Sequence, residues 1–169
     1  MIITAGQYKG RKLTAPSEKI TRPTLSKVRM GVFNTLYSIM GTFENKSFLD
    51  LFGGSGIMGL EALSRGFKEV EVYEINKYAA NIIKKNYELL GLKANLFIGD
   101  SLKYINRIRN FDVIYIDPPY ESGIYEKIMP EIKNGIVVIE HSAKLNTDGF
   151  TVIKEKNYGG KLITIMSKT

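Results

Sequence analysis

From residue 46 onward the chain alternates short apolar runs with longer amphipathic ones, and this rhythm limits the fold more than any other feature. The runs "KSFLDLF" (46–52), "EVEVYEI" (69–75), "ANLFIG" (94–99), "FDVIYI" (111–116) and "GIVVIEH" (135–141) read as strands. Between them lie helical segments: "GIMGLEALSRG" (56–66), ended by Gly66, and "KYAANIIKKNYELLG" (77–91), capped by Asn76 and closed by Gly91. Further helices are expected through "SLKYINRI" and near "GIYEKIMPEI". Strands alternating with helices of this length give a doubly wound, mostly parallel α/β sheet with helices on both faces. The tail departs from the pattern: "FTVIKEKNYGGKLITIM" (150–166) is two strand-like runs around "NYGG", so the sheet is expected to end in an antiparallel hairpin.

The first 46 residues stand apart and divide the chain into a basic N-terminal extension (1–46) and an α/β domain (47–169). "MIITAGQYKGRKLTAP" reads as a glycine-rich hairpin, and "TLSKVRMGVFNTLYSIM" (24–40) as a helix begun at Thr24 after Pro23. Charge follows the same division. Lys9, Arg11, Lys12, Lys19, Arg22, Lys27, Arg29 and Lys46 face only Glu18 and Glu44, a net +6 of the chain's +7. A basic segment beside a nearly neutral domain suits a polyanionic partner approached from one side; a solvated basic face is the plainer alternative. Arg22 precedes a proline and is held extended, which fits phosphate or base contact as well as a surface ion pair.

The chain has no cysteine and a single histidine, His141. Thiolate chemistry, disulfides and multi-histidine metal sites are therefore excluded, and no metal is expected. Neither a secretory h-region nor an apolar run of about 20 residues is present, so the expected location is the cytoplasm, without membrane contact.

"LDLFGGSGIMGLEAL" (49–63) is a strand, a glycine turn and a helix start. Asp50 ends the strand, and Gly54 and Gly56 let backbone approach a ligand at a helix N-terminus. Phe52 occupies the position of the first glycine of a dinucleotide fingerprint, which disfavours a nicotinamide cofactor. Glu74, 24 residues after Asp50, ends the next strand, where a carboxylate can accept bonds from both ribose hydroxyls. "GDS", Gly99 to Ser101, ends the third strand, within reach of an adenine amino group. Each feature has a plainer reading: glycine turns are common, Asp100 can cap the following helix, and Glu74 can be a surface acid. Their shared position, at the carboxyl ends of three successive strands, favours a nucleoside cofactor.

The fourth strand ends in "DPPY". Two prolines force the chain out of the sheet. The resulting stiff corner fixes Asp117 and the Pro118 carbonyl as acceptors, with Pro119 holding the turn and Tyr120 as a stacking wall. Two such acceptors suit the exocyclic amino group of a nucleobase, drawing electron density onto a poorly nucleophilic nitrogen beside a sulfonium methyl. The plain alternative is a rigid turn capped by Asp117.

"DLFGGSG" followed by "DPPY" resembles the class I S-adenosylmethionine-dependent methyltransferases that act on exocyclic amino groups. With "GQYKGRKL", "TRPTLSKVRMGVFNTL", "VYEINKYAANIIKKN" and "IEHS" in order, the chain resembles the RsmD family of small-subunit (16S) ribosomal RNA guanine 2-amino methyltransferases. The resemblance implies an S-adenosylmethionine site at Asp50, Phe52, Gly54, Gly56, Glu74, Ile75, Asp100 and Ser101, and catalysis at Asp117, Pro118, Pro119 and Tyr120. It also implies RNA contact through Lys9, Arg11, Lys12, Arg22 and Arg29, with small-subunit RNA, assembled or partly assembled into a particle, as the partner. Gly53 departs from it, since the family is expected to carry a small residue there, often alanine. The short 121–135 stretch departs as well. Other readings are amino methylation of DNA adenine or cytosine, disfavoured because no segment is left for target recognition, and a non-catalytic RNA-binding assembly factor. His141 can line a base pocket or serve the structure. Phe33 and Tyr37 are expected in the core.

Overall fold

The computed structural model describes residues 1–17, 24–119 and 123–169. Among the described residues seven strands form one sheet in the order β3-β2-β1-β4-β5-β7-β6. β1 (Ser47–Asp50), β2 (Glu69–Glu74), β3 (Leu96–Ile98), β4 (Val113–Ile116) and β5 (Ile136–His141) are parallel. β6 (Phe150–Tyr158) and β7 (Lys161–Lys168) close the sheet, with β7 inserted antiparallel between β5 and β6. This is the mixed sheet expected from the alternation of runs.

Successive strand residues serve opposite faces, because side chains alternate across a sheet. Phe48, Val113, Tyr115 and Val138 join one core with α1 (Ser26–Met40), α2 (Ile57–Ser64) and α3 (Lys77–Leu89). Leu49, Ile114, Ile116, Val137 and Ile139 join a second core with α4 (Ile124–Ile128). With both faces covered, the central strands read as continuous apolar runs.

Two local expectations are corrected. The segment after β3 forms two 3-10 turns, Ser101–Lys103 and Ile105–Arg107, in place of an α-helix. Leu102, Ile105 and Ile108 pack on the second core at a spacing of three, the period of a 3-10 helix. The N-terminal segment does fold back on itself as a hairpin, paired antiparallel at Ile2 and Lys12 with the Leu13 amide donating to the Met1 carbonyl at 2.8 Å, but α1 begins at Ser26 rather than Thr24 because Leu25 is extended.

Described residues of the N-terminal segment pack into the same core as the sheet. Ile3, Leu13, Val28, Val32, Phe33, Leu36 and Phe43 lie in the same cluster as Phe48 and Tyr115. Phe33 is core as expected, but Tyr37 is exposed and only edges onto Phe43, with ring centroids 5.5 Å apart.

The segment is fastened by a buried carboxylate on α2. Glu61 accepts from the Thr4 and Ala5 backbone amides, at 3.0 and 3.2 Å, and from the Thr4 hydroxyl. It also pairs with Arg65 at 3.0 Å and Arg29 at 3.5 Å. Arg29 donates in turn to the Ile2 carbonyl at 2.7 Å and to the Thr24 carbonyl. With its side chain 2% exposed, Arg29 is closed to RNA. Its assignment as a nucleic-acid contact is corrected: the same cation that suits phosphate here neutralises a buried acid.

Candidate active site

The sheet brings one carboxylate from each of four adjacent strands to a single edge. Asp50 is the last residue of β1 and Glu74 the last of β2; Asp117 follows β4, and Glu140 is the penultimate residue of β5. The register places Asp50 opposite Tyr115, so that Asp117 lies two residues further toward the edge.

Asp50 is buried and accepts from the Phe52 amide at 3.2 Å. Its pKa is pushed up to about 8, first by burial and further by the charges of Asp117, Glu74 and Glu140, against the Phe52 hydrogen bond. The folded chain therefore keeps a proton that the unfolded chain releases near 3.8. The stability this group contributes is full below about pH 4 and is lost as pH rises toward about 8. Asp50→Asn keeps an acceptor for Phe52 and should flatten that decline, as read by urea midpoints across the range. An unchanged slope would show that Asp50 titrates normally.

Glu74 ties the glycine turn to β2. One of its oxygens accepts from the Gly54 amide at 2.7 Å and the other from the Asn76 amide at 2.7 Å. The Gly53 amide adds a bond to the Tyr73 carbonyl at 2.7 Å. Gly56, at φ 78°, is the residue before α2, a backbone conformation that favours glycine. The departure at Gly53 has a steric reason: an added Cβ would lie 2.4 Å from a Val72 methyl, so β2 fills the space that alanine needs.

Ile75, beyond Glu74, is exposed at the mouth of this edge. Gly99 donates its amide to the Glu74 carbonyl at 3.0 Å, which brings the "GDS" turn alongside. Asp100 caps the first 3-10 turn through the Leu102 amide at 3.0 Å, and Ser101 is buried. The expected cofactor residues thus meet on three neighbouring strands.

At the "DPPY" corner Asp117 is half-buried, Pro118 buried and Pro119 exposed. Tyr120 lies outside the described residues, as does Arg22. The Asp117 carboxylate accepts from the Lys161 ammonium at 3.2 Å.

The family described as conserved hypothetical protein 95 matches residues 1–167. The chain belongs to that family. Its relatives include the ribosomal RNA small subunit methyltransferase D of Haemophilus influenzae, 32% identical over 173 residues, covering 93% of this chain and 88% of that one. The protein of the same description from Buchnera aphidicola is 32% identical, covering 84% and 78%. A hypothetical protein of Thermus thermophilus of known structure superposes with a TM-score of 0.81 at 25% identity, covering 98% of both chains. This family is the RsmD family that the sequence resembles.

Within this RsmD-family chain the basic residues of the N-terminal loop, Lys9, Arg11 and Lys12, sit away from the crevice. Lys9, Arg11 and Lys12 are exposed. The loop they flank rests on the far end of α2, where Gln7 donates to the Ser64 carbonyl at 2.7 Å, and Arg11 donates to the Leu89 carbonyl at the end of α3 at 2.8 Å. The crevice lies at the other end of α2, one helix length of about 12 Å away.

His141 is structural. Its ring bridges the Ala143 carbonyl at 2.7 Å and the Thr164 hydroxyl at 2.8 Å, fastening β5 to β7. Three residues of the site escaped sequence reasoning: Tyr115, Glu140 and Lys161. An acid inside the apolar run of β5 was the available signal, because a buried charge requires a partner. Among the described residues no cluster of potential metal ligands occurs, and no helix is long and apolar enough to cross a membrane.

Proposed function

We propose that this chain transfers a methyl group from S-adenosylmethionine to the 2-amino group of a guanine in small-subunit ribosomal RNA. The observation that carries the reading is the convergence of Asp117 on its stiff corner with Asp50, Glu74 and the glycine turn, on three adjacent strands. The relatives named ribosomal RNA small subunit methyltransferase D support the substrate class.

The residues present fit this cofactor. Four carboxylates share one end of the sheet; burial first, and then the charges of Asp117, Glu74 and Glu140, hold Asp50 up to about 8, so the crevice favours a cationic ligand. Bound there, S-adenosylmethionine supplies an electrophilic methyl on a sulfonium. Glu74 is placed to accept from ribose hydroxyls, the turn at Gly54 presents backbone to the ligand, Gly56 starts α2 at φ 78° close against Ile83, and Asp100 and Ser101 stand beside the adenine end. On the other side of the crevice, Asp117 and the Pro118 carbonyl accept the two hydrogens of the guanine amino group. Electron density is thereby drawn onto nitrogen, and Asp117 can take the proton that nitrogen releases. Fixed acceptors of this kind are worth on the order of 3 kcal/mol of barrier reduction or more.

An acidic crevice repels phosphate, so in this reading the RNA backbone is held elsewhere, by Lys9, Arg11 and Lys12 about one helix length away. Residues 1–46, at a net +6, support a salt slope no steeper than roughly −4. Such attraction supplies affinity but little selectivity, and an assembled or partly assembled small subunit that presents the guanine in a loop is the substrate we favour, met in the cytoplasm.

Incubation with methyl-labelled cofactor and undermethylated small subunits, followed by nucleoside analysis, tests this reading. The expected product is N2-methylguanosine, formed faster on particles than on protein-free RNA. Label in methyladenosine or methylcytidine would overturn the guanine assignment, and equal rates on naked RNA would overturn the particle.

A further inference from the structure

Lys161 opens β7 on the antiparallel hairpin, 44 positions after Asp117, yet its ammonium stands 3.2 Å from Asp117 Oδ1 and 2.5 Å from Glu140 Oε2. Glu140 is a rigid seat for it. That carboxylate is buried, and its other oxygen accepts from the Tyr115 hydroxyl. The Glu140 backbone carbonyl is held in addition by the Tyr125 hydroxyl of α4, at 2.7 Å. Burial, with the charges of Glu140 and Asp117 adding to it, raises the Tyr115 pKa well above its ordinary value, so the phenol remains a neutral donor. Burial by itself would lower the Lys161 pKa, but Asp117 and Glu140 outweigh it and raise it, so the ammonium stays charged. Two of its three donors are accounted for by the two carboxylates.

The groups around Asp117 make this cation consequential. The charge of Asp117 acts on Asp50 of β1 and on the Tyr115 phenol two residues before it, and Asp117 shares the Lys161 ammonium of β7 with Glu140 of β5. Carboxylates this close favour protonation of one another. A protonated Asp117 would offer the guanine amino group a hydroxyl in place of a second lone-pair acceptor.

We propose that Lys161 is a positioning residue for the methyl transfer: seated on Glu140, its ammonium holds the Asp117 carboxylate in place as a hydrogen-bond acceptor. The inference rests on the function proposed above and adds a residue from the hairpin to the corner's machinery. The plainer role, a pin between hairpin and sheet, predicts a change in stability without a change in the pH dependence of the reaction.

The test is the single-turnover rate with saturating S-adenosylmethionine and small-subunit particles, measured against pH for wild type, Lys161→Met and Lys161→Arg. Removing a cation beside Asp117 raises the pH at which the carboxylate ionises, so the acid limb of Lys161→Met should move up by about one unit or more. The rate below that limb should fall about tenfold, with the cofactor dissociation constant unchanged and Lys161→Arg largely restoring the profile. Because Lys161→Met leaves Glu140 uncompensated, the double variant Lys161→Met/Glu140→Gln, which buries no unpaired charge, is measured alongside; it too should be slow. An acid limb and rate equal to wild type in both variants, in an active wild type, would overturn the inference alone. A wild type that transfers no methyl to particles or RNA would overturn the proposed function, and this inference with it.

Discussion

Asp117→Ala should lower the methyl-transfer rate at least ~100-fold while leaving the dissociation constant of S-adenosylmethionine nearly unchanged. The division follows from the placement of the acids. Asp117 lies at the proline corner after β4, whereas Glu74 ends β2, on the far side of β1, and binds the glycine turn. The fold should tolerate the change, because Lys161 keeps Glu140 as a partner at 2.5 Å. Glu74→Ala should do the reverse. It removes the ribose acceptor together with the anchor of the Gly54 amide, so calorimetry should show cofactor affinity weakened tenfold or more, an estimate from losing a charged hydrogen bond at about 1.5–3 kcal/mol. If both variants lost cofactor binding equally, the acids would form one site, and the assignment of Asp117 to the base would fail.

Arg29→Ala should cost about 1–3 kcal/mol of folding stability, because it removes one of two cations from a buried carboxylate and leaves two carbonyls without their donor. Glu61 is wholly buried, and Arg29 is one of the two cations that neutralise it. The same guanidinium also holds the carbonyls of Ile2 and Thr24, so its loss loosens the N-terminal segment at two points. Urea unfolding measures the cost, and Arg29→Lys should recover only part of it, since an ammonium cannot reproduce the guanidinium fork. A variant with a wild-type midpoint and weakened RNA affinity would return Arg29 to the RNA-contacting set.

Arg29 also shows where reading the sequence succeeded and where it stopped. Its spacing to Phe33 and Leu36, four and seven residues on, already put it on the buried face of α1, but charge composition drew it toward RNA. The parallel strands were legible because burial on both faces leaves uninterrupted apolar runs, and the glycine turn and Asn76 cap because their backbone chemistry is local. The turns after β3 were misread as an α-helix, since three apolar residues at a spacing of three resemble one until their period is counted. Lys161 was out of reach for a different reason. Its neighbours are set by the pairing of β7 with β5, and no local pattern in "YGGKL" encodes Asp117.

The open sheet has a further consequence, for the protein's behaviour at high concentration. Its two edges are unequal: β3 has three residues, whereas β6 has nine, most of them exposed. A long free edge offers unpaired backbone groups to any other strand, including the same edge of a second molecule. β6 carries Lys154 and Lys156 along that edge, and its ladder with β7 slips between Val152 and Lys154. Like charges and a broken register both oppose edge-to-edge stacking beside the exposed Val152 and Ile153.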